Sequence, residues 1–277
     1  MPKNPTGQGY SENTSLKQEN YAYFLRFLLP ATRGVMSNPR NASWASQCFQ
    51  LIDFNAGPGW TEEYGDGSPM IALREAWEKG FHDRQLSAFF VDKSSEAIEA
   101  LRENLAPFQN DRWDFRLENQ DNSRLTAEIL DWLRRSAGGK SALGLIYTDP
   151  NGYNDAPLES IIEICRQNTR LDVLVHISAT SVKRQVGARA TEGIEVFDLE
   201  RFIETIDKQK VFVRELYGKA QWSFLYLTNW ANAPELNNIN FYDRASRKGK
   251  EIFKVLTRTA KDIKQEGQLN LFDTGES

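Results

Sequence analysis

Three apolar segments of the chain each end in an aspartate. The runs begin near residues 51, 88 and 143, and they close at Asp53, Asp92 and Asp149. Short continuous apolar runs are typical of strands that are buried on both faces of a parallel sheet. Because the carboxyl ends of parallel strands meet at one edge, the pattern predicts three carboxylates along that edge.

Segments with the 3.6-residue period of amphipathic helices lie between the strands. One helix is predicted to start at Ser68, as the N-cap, with Pro69 in its first position and Gly80 at its end. Another follows Ser94 or Ser95 as cap. Further helices are predicted over residues 19–29, where Pro30 is expected to end the helix, 126–135, 157–167, 197–207 and 242–265.

Strands that alternate with helices predict a parallel sheet. Additional strands are expected at residues 113–117 and 171–177. The β-rich runs 210–216 and 222–228, joined by a short turn, predict an antiparallel pair. The predicted fold class is therefore α/β, a Rossmann-like, mostly parallel seven-stranded sheet with helices on both faces and a closing antiparallel hairpin. Such a hairpin is typical of class I S-adenosylmethionine (SAM) methyltransferases rather than of dehydrogenases.

The loop after the first strand reads N-A-G-P-G at residues 55–59. Glycines let a backbone approach a ligand closely, and the first strand-to-loop junction of a doubly wound sheet is a nucleotide-binding position. We therefore expect SAM to be bound by Asp53, Asn55, Ala56, Gly57 and Gly59, with Asp53 helping to orient its ammonium group. A dehydrogenase loop would continue directly into a helix, whereas residues 60–66 intervene here. A purely structural turn is the alternative.

Two further acids are candidates for cofactor contacts. Asp92 ends the second strand, where a carboxylate can accept hydrogen bonds from both ribose hydroxyls. It could instead only cap the following helix. Asp121, in the polar segment after the third strand, is the candidate for the adenine amino group, although such residues are often only solvated.

The fourth strand leads into Asp149 and Pro150, with Tyr153 shortly after. Amino-group methyltransferases place an acid or amide, two prolines and an aromatic residue at this point. The carboxylate and a proline carbonyl accept the two N–H groups of an amine and aim its lone pair, while the ring stacks on a base. Asn151 replaces the second proline here, so an Asp-Pro turn of structural meaning stays open. Asp149, Pro150 and Tyr153 are the predicted catalytic residues.

Several of these segments together resemble the three-Cys-motif partner family of class I SAM-dependent methyltransferases. The resemblance is carried by the 52–59 loop, by G-S-P-M-I-A-L at residues 67–73, by the 90–105 segment, and by D-P-N-G-Y at residues 149–153. The chain departs from the family at Asn55 and Asn151, where aromatic residues are usual. The resemblance implies SAM as cofactor more directly than it implies any particular acceptor.

Composition excludes several other classes of protein. The 277 residues are 40% hydrophobic and 26% charged, which is ordinary for a globular protein. Neither a membrane-spanning run nor a signal-peptide core is present, so a cytoplasmic protein of bacterial, phage or mobile-element origin is expected. Cys48 and Cys165 are read as reduced core thiols, and His176 as a satisfied core histidine. No zinc spacing is found, so no metal is expected.

The charge is distributed unevenly along the chain. The net charge is −4, yet residues 240–264 hold eight basic and three acidic residues, which leaves +5 there and −9 elsewhere. This basic segment predicts contacts with nucleic-acid phosphates, with a solvated helix face as the alternative. The candidate nucleic-acid contacts are Lys183, Arg184, Arg189, Lys250 and Lys254.

The polar C-terminal tail contains a second short motif. Gln268, Leu269, Leu271 and Phe272 form Q-L-N-L-F, which resembles the peptide by which bacterial replication and repair proteins bind the sliding clamp. Exposed Leu and Phe side chains in a polar tail need a partner, either the clamp or the domain itself.

The combined interpretation is a SAM-dependent methyltransferase that acts on nucleic acid, with a base nitrogen of DNA as the first candidate acceptor. The alternatives are an inactive SAM-fold accessory protein and a small-molecule methyltransferase. The predicted organisation is a helical extension (1–44), a methyltransferase core (45–240), a basic helix (241–265) and a tail (266–277).

Overall fold

A computed structural model describes residues 14–121, 124–150, 157–179, 199–218, 221–234 and 236–257 of the chain. Its main feature is an eight-stranded sheet with the order β10-β8-β9-β7-β6-β1-β4-β5. The strands of this sheet are β1 (Ala45–Asp53), β4 (Gln85–Asp92), β5 (Trp113–Asn119), β6 (Ser141–Thr148), β7 (Leu171–Ser178), β8 (Lys210–Arg214), β9 (Trp222–Thr228) and β10 (Phe241–Asp243). Two short strands, β2 (Trp60–Thr61) and β3 (Gly65–Asp66), form a separate hairpin.

The predicted α/β class is confirmed, with one correction to the strand count. Strands β5, β4, β1, β6 and β7 are parallel, as expected. The antiparallel pair β8–β9 is also present, and β9 lies between β7 and β8. The sheet has eight strands rather than seven because β10 pairs with the outer edge of β8. Since β10 is only three residues long, its sequence carries too little alternation to be recognised.

Seven helices pack on the sheet in the described part of the chain. They are α1 (Thr14–Ser37), α2 (Ser68–Ala76), α3 (Ser95–Leu105), α4 (Thr126–Ser136), α5 (Leu158–Gln167), α6 (Leu199–Thr205) and α7 (Arg247–Thr257). Alternate residues of the strands point to opposite faces. Phe90 of β4 packs in the cluster formed with α1 to α3, whereas Phe89 and Val91 pack in the cluster formed with α4 to α7.

The first helix is longer than predicted, because Pro30 lies inside it rather than at its end. An interior proline removes one backbone hydrogen bond and costs about 3 kcal/mol. Buried contacts on both sides of Pro30, including Phe24, Leu28 and Met36, offset that cost. The apolar face of α1 therefore continues through the proline.

Two other local predictions need correction. Gly67, not Ser68, is the N-cap of α2, and no side chain caps this helix. The basic C-terminal helix begins at Arg247 instead of residue 242, because β10 occupies residues 241–243. The predicted cap of α3 is correct, since Ser94 Oγ accepts a hydrogen bond from Ala97 N at 3.2 Å.

Candidate active site

The strand order places a crevice between the carboxyl ends of β1 and β6. From β1 the chain continues outward to β4 and β5, and then returns to β6 on the other side of β1. Ligands of open α/β sheets bind at such a switch point. Asp53 and Asp92 end β1 and β4, and Asp149 directly follows β6. The three predicted acids therefore lie along one edge, as expected.

The loop after β1 has the conformation that its glycines permit. Gly57 and Gly59 have φ values of 61° and 77°, which residues with a side chain rarely adopt. A Cβ on Gly59 would also lie 2.6 Å from Leu101 Cδ1. Asn104 of α3 donates to Pro58 O at 2.9 Å. The loop is thus held close against α3.

Asp53 is buried inside this loop. Its Oδ1 accepts the Asn55 N–H at 3.1 Å, and its Oδ2 accepts the Ser68 hydroxyl at 2.6 Å. The pKa of Asp53 is raised to about 7, chiefly by burial and to a smaller extent by the charges of Asp149 and Asp92, which together outweigh the two hydrogen bonds. Both oxygens serve to order the protein, so Asp53 joins β1 to the start of α2.

Asp92 is better placed than Asp53 to meet a ligand. It is half-buried, and its two oxygens accept Gly57 N–H at 2.9 Å and Ser94 N–H at 2.8 Å. A carboxylate has about four acceptor positions, so two are left after these contacts. Asn119 of β5 donates to Asp92 O at 3.1 Å. The exposed Asp121 follows two residues later, beyond the same edge.

Asp149 is the centre of a hydrogen-bonded chain that joins four elements. Lys17 of α1 forms an ion pair with its Oδ2, and His176 Nδ1 of β7 lies 2.6 Å from its Oδ1. His176 Nε2 in turn lies 2.7 Å from the hydroxyl of Tyr217, after β8. Burial raises the pKa of Asp149, but the Lys17 ammonium and the hydrogen bonds of its two partners outweigh burial and hold the pKa below its ordinary value.

Helix α1 brings more polar groups to the same place. Asn20 Oδ1 accepts from Arg214 Nη2 at 2.5 Å. Tyr21 stacks on Tyr147 of β6 with ring centroids 4.2 Å apart. The Asn20 Nδ2 and the Tyr21 hydroxyl are buried without a hydrogen-bond partner among the described residues. Uncompensated buried polar atoms are costly, and they are usually explained by a function or by an additional bound group.

Sequence reasoning missed Lys17 and Tyr217 and understated His176. His176 is buried with both ring nitrogens hydrogen-bonded, which confirms that it is satisfied, but its partner is the acid at the predicted catalytic position. A histidine within an apolar strand was the available signal. Lys17 carries no local signal, because it lies 132 residues from Asp149.

The remaining predicted residues divide into two groups. Lys250 and Lys254 are exposed on α7, opposite the buried Ile252, Phe253 and Leu256. Pro150 follows Asp149 at the edge and is buried. The others lie outside the described residues, namely Tyr153, Lys183, Arg184, Arg189, Gln268, Leu269, Leu271 and Phe272.

Among the described residues, no cluster of three or more His, Cys, Asp or Glu side chains is suited to hold a metal ion. No helix among them is long and apolar enough to cross a membrane.

No family model matches the chain, and no curated protein matches its sequence. Protein LPL1258 of Legionella pneumophila superposes with a TM-score of 0.47 at 12% identity, covering 86% of this chain and 93% of that chain. The proposed methyltransferase yhhF of Escherichia coli superposes with a TM-score of 0.41 at 14% identity, covering 82% of this chain and 92% of that chain. A proposed methyltransferase of Streptococcus mutans, in complex with SAH, superposes with a TM-score of 0.38 at 9% identity, covering 79% of this chain and 99% of that chain. Since these superpositions are distant, the fold assignment rests on the strand order of this chain.

Proposed function

We propose that the protein is a SAM-dependent methyltransferase whose cofactor binds at the carboxyl ends of β1 and β4. The observation that carries the proposal is the contact between Asp92 and the glycine loop at the switch point of the sheet. Gly57 N–H is bonded to Asp92 Oδ2, so the loop and the strand-end acid form one surface. The antiparallel β9 between β7 and β8 is also the arrangement expected for this class.

The residues at this edge suit the parts of SAM. The half-buried Asp92 has acceptor capacity left for the ribose hydroxyls. The backbone of residues 55–59 offers a surface without side-chain bulk at Gly57 and Gly59 for the methionine part. A dinucleotide-binding loop runs directly into its helix, whereas here β2 and β3 intervene between the loop and α2 in the sequence.

SAM supplies a methyl group on a positively charged sulfur, so the protein needs to place a nucleophile and remove its proton. The hydrogen-bonded chain of Asp149, His176 and Tyr217 begins at the end of β6, beside the switch point, and continues across β7. It is the candidate region for binding the acceptor. Lys17 and His176 already occupy both Asp149 oxygens. An amine bound by Asp149 would therefore replace one of these contacts.

We further propose a nucleic-acid acceptor, with DNA amines as the first candidate and Pro150 and Tyr153 beside Asp149. The support is the exposed basic face of α7. Lys248 of α7 pairs with Glu215 at 2.7 Å, two residues before Tyr217. Recruitment by a sliding clamp through residues 268–272 is proposed from the sequence motif alone.

Calorimetric titration with SAM tests the cofactor site. We expect Asp92→Ala to lose about 1–3 kcal/mol of SAM affinity, since the ribose hydroxyls would lose their carboxylate acceptor. Asp92→Asn separates charge from size, and Asp111→Ala, an exposed aspartate in the turn before β5, is the matched control. Equal SAM affinity in wild type and Asp92→Ala would exclude this site.

Incubation with tritiated SAM and separate DNA, RNA and protein acceptors tests the reaction. Label in DNA alone supports the full proposal. SAM binding without transfer to any acceptor would favour an inactive accessory protein, and transfer only to metabolites would favour a small-molecule enzyme.

A further inference from the structure

Asp149, His176 and Tyr217 form a connected chain that the proposed function does not by itself require. We propose that Tyr217 and His176 form a proton path leading away from the methylated acceptor, with Asp149 and Lys17 positioning the imidazole at its end. This inference rests on the proposed methyl transfer and adds the step by which the acceptor loses its proton.

The hydrogen bonds define which ring nitrogen carries hydrogen. An ionised Asp149 can only accept, so the His176 Nδ1 at 2.6 Å must donate to it. In a neutral ring, Nε2 then accepts the Tyr217 O–H at 2.7 Å. The Lys17 ion pair keeps Asp149 ionised and thereby maintains this tautomer. The chain is thus oriented from Tyr217 toward Asp149.

The ring of His176 is held in a fixed position by aromatic neighbours. It stacks on Trp222 with centroids 4.8 Å apart and an interplanar angle of 10°, and Phe224 lies 4.7 Å away. Two backbone hydrogen bonds of 2.9 and 2.8 Å join Trp222 to Tyr217. Trp222 therefore contacts both the base on β7 and its proton donor, which follows β8.

The charged groups around His176 favour a neutral base at neutral pH. Burial lowers the pKa of His176, and although Asp149 opposes this, Lys17 and Arg214 lower it further. Lys17 lies on α1, Asp149 follows β6 and Arg214 ends β8. Burial also raises the pKa of Tyr217, so its phenol transmits a proton rather than losing one to water.

A ligand can reach the chain at Tyr217 as well as at the Lys17–Asp149 pair. His176 is 3% exposed, whereas Tyr217 is half-buried and the side chains of Lys17 and Asp149 are 26% and 17% exposed. Arg214 lies over the Tyr217 ring at 5.0 Å, and Asn20 contacts the Tyr217 hydroxyl. An acceptor bound at Tyr217 would meet the phenol oxygen, whereas the buried imidazole lies out of its reach.

In the methyl-transfer step, the acceptor nitrogen or oxygen forms a bond to the methyl carbon, and the carbon–sulfur bond breaks with its electron pair left on sulfur. The proton released by the acceptor moves to the Tyr217 oxygen as the Tyr217 proton moves to His176 Nε2. The product is an imidazolium beside the Asp149 carboxylate, which later returns its proton to solvent.

Nitrogen-15 NMR of the histidine rings tests the chain without an acceptor. The chain has two histidines, so His82→Gln assigns the His176 signals. We expect a neutral Nδ1–H tautomer at pH 7 and a rise in the His176 pKa in Lys17→Met, because a neighbouring cation is lost. An Nε2–H tautomer in the wild type would overturn the proposal.

Transfer kinetics with tritiated SAM and duplex DNA test the proton path. We expect Tyr217→Phe to lower the transfer rate about 100-fold with unchanged SAM affinity. Some loss of thermal stability accompanies it, because the buried His176 Nε2 loses its hydrogen-bond partner. Tyr23→Phe, an exposed tyrosine of α1, is the matched control. In Lys17→Met, the acid limb of the pH–rate profile should move to higher pH with the NMR pKa of His176.

The outcomes separate the two proposals. Wild-type transfer with an unchanged rate and pH profile in Tyr217→Phe would reject the proton path and leave the methyltransferase standing. Absence of SAM binding by the wild type would reject the proposed function itself, and the proton path with it.

Discussion

Asp53 illustrates how one buried carboxyl group can order a loop at the expense of stability. It is 1% exposed and hydrogen-bonded to Asn55 and Ser68. Burial destabilises the ionised form of Asp53 more than these two hydrogen bonds stabilise it, and the pKa is therefore raised. The residue therefore holds β1, the loop and α2 together with a group that favours its protonated form.

This shift predicts a pH-dependent stability. The pKa of Asp53 is about 7 in the fold and about 4 in the unfolded chain, so between these pH values the unfolded state binds fewer protons. The free energy of unfolding of the wild type should fall as pH rises through this window, by up to about 4 kcal/mol relative to Asp53→Asn.

Denaturant unfolding of both proteins at pH 4.5 and pH 7.5 measures the difference. The asparagine retains a side-chain oxygen for Asn55 N–H, and other titrating groups cancel in the comparison. Asp111→Asn, in an exposed turn, is the control for a lost charge. Parallel pH dependences of wild type and Asp53→Asn would show that Asp53 is ionised in the fold.

At the scale of elements, α1 and α7 contribute different groups. Lys17, Asn20 and Tyr21 are spaced at i, i+3 and i+4, so one face of α1 presents all three toward the edge. Helix α7 packs Ile252, Phe253 and Leu256 inward and leaves its basic side chains exposed. The first helix thus supplies the site, and the last supplies a positively charged surface.

The exposed face of α7 predicts salt-dependent DNA binding. Reversing Lys250 and Lys254 to Glu should weaken binding and reduce the slope of log affinity against log salt by about 2. The matched control reverses Arg135 and Lys140, exposed residues that precede β6 at the opposite edge and change the net charge equally. Fluorescence anisotropy of labelled duplex between low and physiological salt gives the slopes. Equal slopes in both double variants would assign the effect to net charge alone.

At the scale of the whole molecule, an acidic body carries a basic helix and a short apolar motif near its end. The net charge of −4 gives no general attraction to DNA, so a local surface and a tether would each contribute. Binding to a sliding clamp would raise the effective concentration of the enzyme on DNA without any sequence-reading contact.

The tail motif predicts binding to an immobilised bacterial clamp. Burial of Leu271 and Phe272 contributes roughly 1.5–3 kcal/mol for each side chain, and ordering of the peptide offsets part of it. We expect micromolar affinity, abolished by Leu271→Ala with Phe272→Ala, while SAM binding stays unchanged. Asp273→Ala with Thr274→Ala, directly after the motif, is the control. An identical clamp response from wild type and the Leu271/Phe272 variant would exclude this partner.

The local hydrophobic pattern was sufficient to predict the strands that are buried on both faces of the sheet, because such burial restricts their residue types. The apolar runs that became β1, β4 and β6 were predicted together with their terminal acids, because a central strand excludes polar residues until it ends. The left-handed Gly57 and Gly59 were likewise implied by a loop that must turn sharply. The β8–β9 pair followed from two adjacent β-rich runs around a turn.

The sequence by itself therefore determined the parallel strands, the edge with three acids and the glycine loop. Only the tertiary structure decided that Asp149 is paired with Lys17 and His176, and that Tyr217 completes the chain. It also decided that α1 continues through Pro30 and that β10 extends the sheet. The physical reason is the sequence separation of the interacting residues. Strand and turn preferences depend on neighbouring residues, whereas these contacts depend on which elements pack side by side. In the Lys17–Asp149 pair, 132 residues separate the partners.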